Sequence, residues 1–349
     1  MEAVRHSFNK KKQGFSSDQK RRWAMQGMVE QYTRNANTEN RAYKPHLGWH
    51  KKTALLVTLF LTLTALFSLP QTTLAAVNTV PPNFVLIRGG EFTMGSPESE
   101  SERDRDEMPH RVKVGDFYIA RYEVTTAEFR TFVQETGYRT DAEKTNPSLV
   151  FWSGLWPGKA GLNWRYGTNG KERSGAENNH PVILVSWNDA VAYCKWLSKK
   201  HGMNFRLPTS AEWEYACRAG TSTVFNYGDN LSTTQANYDG NYPYSNHPKG
   251  IYRKNTVPVN SFTPNAWGLY NMHGNVAEWC SDWYSEPYYE SSKANGTVTN
   301  PTGPATGSNR VMRGGSWYDD ARYCRSADIN DSTPSYRYIN VGFRVVLEP

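Results

Sequence analysis

Apolar residues fall along the chain in three regimes. Residues 1–52 are polar and basic with few aliphatic side chains, Thr53–Leu69 is an uncharged run, and from residue 84 onward short apolar runs alternate with long polar stretches. In the last regime Phe84–Ile87 reads as a strand, Gly89-Gly90 as a turn and Glu91–Met94 as the return strand of a hairpin. The run 98–107 is acidic and reads as a solvated loop. Partial alternation over His110–Glu123 predicts two short strands. Thr126 then suits the N-cap of a helix over Ala127–Thr136, with Glu128 in its first turn. VILVSW (182–187) reads as a buried strand. Ser186 or Asn188 can cap a helix over Asp189–Lys200, where Ala190, Tyr193, Cys194 and Leu197 make one apolar face. In RLPTSAEWEYACRAG (206–220) a strand end, the Pro208 turn and a Thr209 cap lead into a second helix that Gly220 ends.

Residues 137–180, 221–263 and 284–312 are irregular and rich in Gly, Asn and aromatics, and short strands close the chain. No 20–50-residue period repeats, which excludes a solenoid or propeller. Short strands, few helices and long loops with enough aromatic content to pack predict one compact α+β domain over 85–349.

The apolar run TALLVTLFLTLTALFSL (53–69) follows Lys51-Lys52 and precedes Pro70 and QTTLAA. A basic flank, an apolar core and small residues at a cleavage position predict a signal anchor or cleaved signal peptide over 53–76, with 77–84 as linker. The alternative, a buried core helix, would normally show a polar face. Lys and Arg before the run keep residues 1–52 in the cytoplasm and send the body to the periplasm, membrane-anchored or released. Residues 1–52 hold 12 Lys and Arg against 4 Asp and Glu, a net of +8, while the whole chain is +7. The basic excess therefore belongs to the arm, and the body gives no electrostatic case for nucleic-acid binding. Four cysteines with no CxxC spacing exclude a disulfide scaffold and a zinc ribbon.

The richest stretch is WGLYNMHGNVAEWCSDW (267–283). It is too aromatic for an ordinary loop and too rich in Gly and Asn for a helix core. Asn271, Asn275, Glu278 and Asp282 place oxygen donors among Trp267, Trp279 and Trp283. Two readings stay open: a loop holding a hard cation, or an Asn/Gly loop whose amides bond its own backbone. Asp319 and Asp320 are equally double-edged. Adjacent carboxylates could bind a metal or act as acid and base, yet consecutive extended residues point to opposite faces, which suits a solvated turn.

Together, LIRGGEFTMGS (86–96), RLPTSAEWEYACRAG, the 267–283 stretch and RGGSW…CRSA…GFRV (313–345) resemble the sulfatase-modifying-factor family. That family includes formylglycine-generating enzymes, the ergothioneine-synthase type and the pyoverdine-maturation type. The resemblance implies a C-type-lectin-like fold. It implies structural calcium at Asn271, Gly274, Val276 and Glu278. A weaker second site falls at Asn237 and Tyr238, where the family's Asp falls near Ile251. It pairs Cys217 with Cys324 in a disulfide and leaves Cys194 free and buried. It makes the 137–180 loop a wall of the substrate groove, so the groove candidates are Trp152, Trp156, Trp164, Trp317, Asp319 and Asp320. In the formylglycine-generating enzymes a cysteine pair after the GGS motif binds copper(I). Here that segment is shorter and contains only Cys324, so copper is not expected. The histidines are scattered and no His-bearing N-terminal domain precedes the body, which argues against an iron site of the ergothioneine-synthase type. The implied function is an exported, peptide-modifying maturation factor of the pyoverdine-maturation type. The alternatives are a non-catalytic lectin-like module that binds a periplasmic peptide or envelope protein, and a formylglycine-generating oxidase.

Overall fold

Among the residues the computed structural model describes, 79–144, 161–292 and 296–349, eleven short strands form three sheets. The first sheet runs β1 (Phe84–Ile87), β4 (Phe117–Ala120), β11 (Val346–Leu347) and β5 (Phe205–Arg206), each antiparallel to its neighbour. The second runs β10 (Val341–Gly342), β6 (Ala277–Trp283), β8 (Arg310–Arg313) and β9 (Asn330–Ser332). In it β10 joins β6 in parallel, and the β6–β8 register shifts between Trp279 and Trp283. The third holds β2 (Gly90–Met94), β3 (His110–Val114) and β7 (Val298–Thr299). Five helices accompany them: α1 (Thr126–Thr136), α2 (Asp141–Lys144), α3 (Trp187–His201), α4 (Ser210–Arg218) and α5 (Glu286–Ser292). The run 53–69 lies outside the described residues. Within them, no helix is long and apolar enough to cross a membrane.

The three longest helices begin in the same way. Thr125, Ser186 and Thr209 each accept the backbone N–H of the residue three further on, and the acid there reaches back to the cap's own N–H. Such a box satisfies two of the donors that a helix start leaves unbonded. For α1 the cap is Thr125 and not Thr126, because the Thr126 hydroxyl instead donates to the His180 carbonyl (3.2 Å). The apolar face expected on α3 is real for Ala190, Tyr193 and Cys194, which are buried. Tyr193 packs with Phe129 and Phe132 of α1 and with Phe343, and these rings centre one core. A second core gathers Ala211, Trp213, Ala216 and Cys217 of α4 under β2 and β3. Each fully buried side chain of this size contributes about 2–3 kcal/mol.

Four expectations change. Residues 84–94 form no hairpin: β1 pairs with β4 and β2 with β3, so the chain crosses between sheets at Gly89. Residues 182–186 are buried but form no strand. Leu184 turns to a φ of 63°, and the backbone bonds go one by one to Val124 and Tyr338. The second half of the 267–283 stretch is not a loop but β6, the longest strand of its sheet. Trp279 and Trp187 donate their indole N–H groups to the carbonyls of Val185 (3.2 Å) and Cys280 (2.8 Å), pinning the irregular 182–186 stretch to that strand.

Fourth, the acidic run stays in solvent at Glu98 and Glu102 but not at its end. Asp106 and Glu107 are buried, and Arg325 clamps both Glu107 oxygens at 2.6 Å while reaching Glu100 at 2.8 Å. A comparable group lies under α4. Glu214 is wholly buried, bonded by Arg313, by Arg218 Nε (2.9 Å) and by the Gly95 N–H (2.9 Å). Burial raises its pKa, but Arg218, Arg313 and these bonds outweigh it, so the carboxyl titrates below the ordinary glutamate range. Glu214 therefore stabilises the fold above that range, and its contribution is lost as pH falls through it. Glu214→Gln should cost about 3 kcal/mol at neutral pH, since it leaves two guanidinium groups without their charge partner. Urea unfolding should show the gap to the wild type narrowing in acid. A gap that is absent at neutral pH, or that grows in acid, contradicts this account.

Candidate functional site

The segment after β8 carries the first cluster. Gly315 has a φ of 62°, and a Cβ there would meet the Tyr323 carbonyl at 2.6 Å, so only glycine lets the chain fold back here. The turn brings Ser316, Asp319 and Asn340 together. The Ser316 hydroxyl donates to Asp319 Oδ2 at 2.5 Å and accepts from Asn340 Nδ2 at 2.9 Å. Burial pushes the Asp319 carboxyl up to about 6, against the hydrogen bond from Ser316 and with help from the nearby charge of Asp320. Trp317 is buried, stacks with Tyr252 at 6.4 Å and meets Tyr318 edge-on at 5.5 Å. Asp320 precedes the short 3-10 turn Ala321–Cys324. Asp319 is half-buried and bonded to Ser316, so it is not a freely solvated turn residue.

Of the other groove candidates, Trp152 and Trp156 lie outside the described residues. Trp164 is not on an exposed groove: it is 2% exposed and packed on Phe129 at 5.5 Å.

The four cysteines, Cys194, Cys217, Cys280 and Cys324, are all buried free thiols, so the expected Cys217–Cys324 bridge is not formed. Cys217 Sγ sits by the Met272 carbonyl (3.6 Å), the Ser326 hydroxyl (3.8 Å) and the His273 ring, whereas Cys324 Sγ faces the Asp320 carbonyl (3.9 Å). Burial pushes the Cys217 thiol up to about 12, and the other three also upward. His273 does not counter this. Burial lowers it to about 4 and keeps it neutral, Nδ1–H donates to the Cys324 carbonyl (2.7 Å) and Nε2 accepts the Asn226 N–H (3.1 Å). Arg218 and Arg313 pull toward the thiolate, but burial outweighs them and no imidazolium adds to their effect, so Cys217 stays a thiol.

The second cluster surrounds the expected calcium residues. Glu278 on β6 receives Arg344 Nε and Nη2, both at 2.6 Å, and Trp213 Nε1 at 2.8 Å. Sequence reasoning missed Glu123, which is buried alongside. Its carboxylate accepts from Asn271 Nδ2 (3.1 Å to each oxygen) and Asn275 Nδ2 (2.7 Å). Burial pushes Glu123 up, against the pull of Arg344 and with repulsion from Glu278. Two carboxylates therefore share one guanidinium. The one signal for Glu123 was an acid ending the alternating run FYIARYE.

Asn271 Oδ1 is buried with no hydrogen-bond partner, and Glu278 Oε1 keeps a lone pair beyond its bond from Arg344. An orphaned amide oxygen beside surplus negative charge fits a hard cation. Gly274 is fixed by a contact: a Cβ would lie 2.4 Å from the Asn237 carbonyl. Val276 is buried between them. At the weaker position, where the Tyr238 backbone carbonyl is the other expected ligand, Asn237 Oδ1 is likewise without a partner, and Ile251 is exposed and offers no side-chain ligand.

Residues 70–349 match the sulfatase-modifying factor enzyme 1-like domain. The mouse protein named formylglycine-generating enzyme is 39% identical over 74% of this chain and 73% of its own length. The one from Streptomyces coelicolor is 38% identical over 74% and 87%. Among solved structures, PvdO from Pseudomonas aeruginosa superimposes with a TM-score of 0.59 at 30% identity, over 76% of this chain and 94% of its own.

The thiol geometry makes a direct prediction. Ellman's reagent at mildly alkaline pH should find no reactive thiol in the native protein and all four after unfolding without reductant. Two thiols on unfolding would restore the bridge, and one in the native state would contradict the burial argument.

Proposed function

The chain belongs to the sulfatase-modifying-factor family, and within it we propose a peptide-maturation factor of the pyoverdine-maturation type that works by proton transfer at Asp319 instead of through a copper–thiolate centre. One observation carries this reading. Where the family's oxidases keep reactive cysteines after the GGS motif, this chain has Asp319 hydrogen-bonded to Ser316, with its carboxyl raised to about 6. A carboxyl poised there can both take and give a proton near neutral pH. Tyr318 and Tyr252, half-buried against the buried Trp317, supply the aromatic surface that a peptide would pack on. The export expected from the N-terminal run suits a periplasmic peptide substrate.

The competing reading is a formylglycine-generating oxidase, favoured by 39% identity to the mouse enzyme. Its chemistry needs accessible thiolates, and all four thiols here are buried with raised pKa. Two measurements separate the readings. A peptide bearing the sulfatase CxPxR motif, incubated with the protein, copper and oxygen, should keep its cysteine; conversion to the aldehyde would establish the oxidase. In a host deprived of its own copy, mass spectrometry of exported peptides should find a product made by the wild type and lost in Asp319→Asn. Identical peptide profiles would reject the maturation reading.

Calcium at Asn271, Gly274, Val276 and Glu278 is proposed as a structural ion. Support comes from the orphaned Asn271 oxygen and the surplus carboxylate. A ligand that binds only the folded state stabilises it by mass action, about 2.7 kcal/mol at a hundredfold excess over Kd. The wild type should melt higher in calcium than in chelator, and Asn271→Ala should erase that difference. Glu278 is the wrong residue to vary, because its loss strands Arg344. Equal melting in calcium and chelator, with no calcium in the purified protein, ends the proposal.

A further inference from the structure

The outer face of α1, together with the stretch 164–173, encloses a cavity of about 210 Å³ that neither cluster above uses. It is lined by Arg130, Arg165 and Arg173, with Glu172 as the one acid among its lining residues. Two of the arginines are committed. Arg130 Nη1 donates to Asn178 Oδ1 at 2.6 Å. Arg165 pairs with Glu143 at 2.5 Å and lies over the Trp164 ring at 4.6 Å.

Arg173 differs. It is 7% exposed, donating through Nη1 to Thr126 Oγ1 (2.7 Å) and through Nε to the Tyr166 carbonyl (3.3 Å), both neutral acceptors. Its Nη2 has no partner. Trp164 lines the same cavity, and its buried indole N–H has no partner either.

A buried guanidinium whose hydrogen bonds all go to neutral acceptors is costly. Burial draws the Arg173 pKa down to about 10, only partly opposed by Glu177. An unbonded indole N–H adds a second desolvated donor with nothing to receive it. A native fold rarely leaves two such donors idle in one cavity unless something else accepts from them.

From this geometry we propose that the cavity is a binding site for a carboxylate, which accepts from Arg173 Nη2 and from Trp164 Nε1. The chemistry is a carboxylate because its two oxygens match the two buried donors left unpaired, one on Arg173 and one on Trp164. Its source is a small free acid or the acidic side chain or C-terminus of a peptide.

The test uses the full chain, labelled with ¹⁵N, and follows the Trp164 indole N–H, assigned as the signal that Trp164→Phe removes. Titration with sodium acetate should move that signal saturably, while acetamide and sodium chloride at matched ionic strength should not. An acetylated dipeptide with a free C-terminus, compared with its amide, distinguishes the sources: tighter binding than acetate points to a peptide, equal binding to a small acid. Arg173→Met should weaken acetate at least about tenfold, the value of one charge-assisted hydrogen bond. Should that variant not fold, Trp164→Phe decides, through a loss of about threefold read by calorimetry. An indole signal that acetate does not move, or that sulfate moves while carboxylates do not, overturns the assignment.

Discussion

One guanidinium holds the architecture together. Arg344 is wholly buried just before β11, and its donors reach in four directions. Two go to the Glu278 carboxylate on β6, others to the carbonyls of Ala120 and Arg121 at the end of β4, and one to the Tyr270 carbonyl. The first sheet, the second sheet and the loop before β6 therefore converge on a single planar group. Trp213 adds α4 through its own bond to Glu278. Burying such a pair stabilises only when nearly every donor is met, and here the carbonyls that flank both sheets meet them. Lysine could not serve, since a point charge with three donors cannot span a fork this wide.

The same device recurs wherever the chain runs without a ladder. Arg325 closes the 96–107 loop over Glu107 and Glu100, and Arg313 bridges from β8 to Glu214 and to the carbonyls of Ala327 and Asp328. Long loops inside a compact body must find partners for their polar groups. Buried arginines and tryptophan N–H groups supply these partners one at a time, and this domain orders its loops without much sheet.

That economy also explains which features were legible from sequence. The helices could be read because a capping box is local: Ser186 with Asp189 and Thr209 with Glu212 announce themselves within four residues. Burial of VILV (182–185) was legible too, but its conformation was not, because Leu184 bonds to Tyr338, far along the chain. The hairpin at 84–94 failed for a similar reason, since β2 finds its partner only after the acidic loop. That loop looked solvated because its clamp, Arg325, lies more than two hundred residues away. At the site, the Asn271–Glu278 stretch declared its oxygen donors, whereas Glu123 hid at the end of an ordinary strand pattern. Asp319 was visible as a residue, but its bond to Ser316 depends on a glycine turn that the motif alone does not reveal.

The position of β11 has a consequence for how the molecule comes to exist. Val346–Leu347, later in the chain than every other strand, lies between β4 and β5 in the interior of its sheet. An emerging chain can build its helices early, but the first sheet stays split until its most distal strand arrives. Closing that gap joins segments more than two hundred residues apart, the kind of non-local pairing that makes folding slow. Until then the edges of β4 and β5 are unpaired and open to the wrong partner. Among the described strands, the one that completes the first sheet is thus the last to be synthesised.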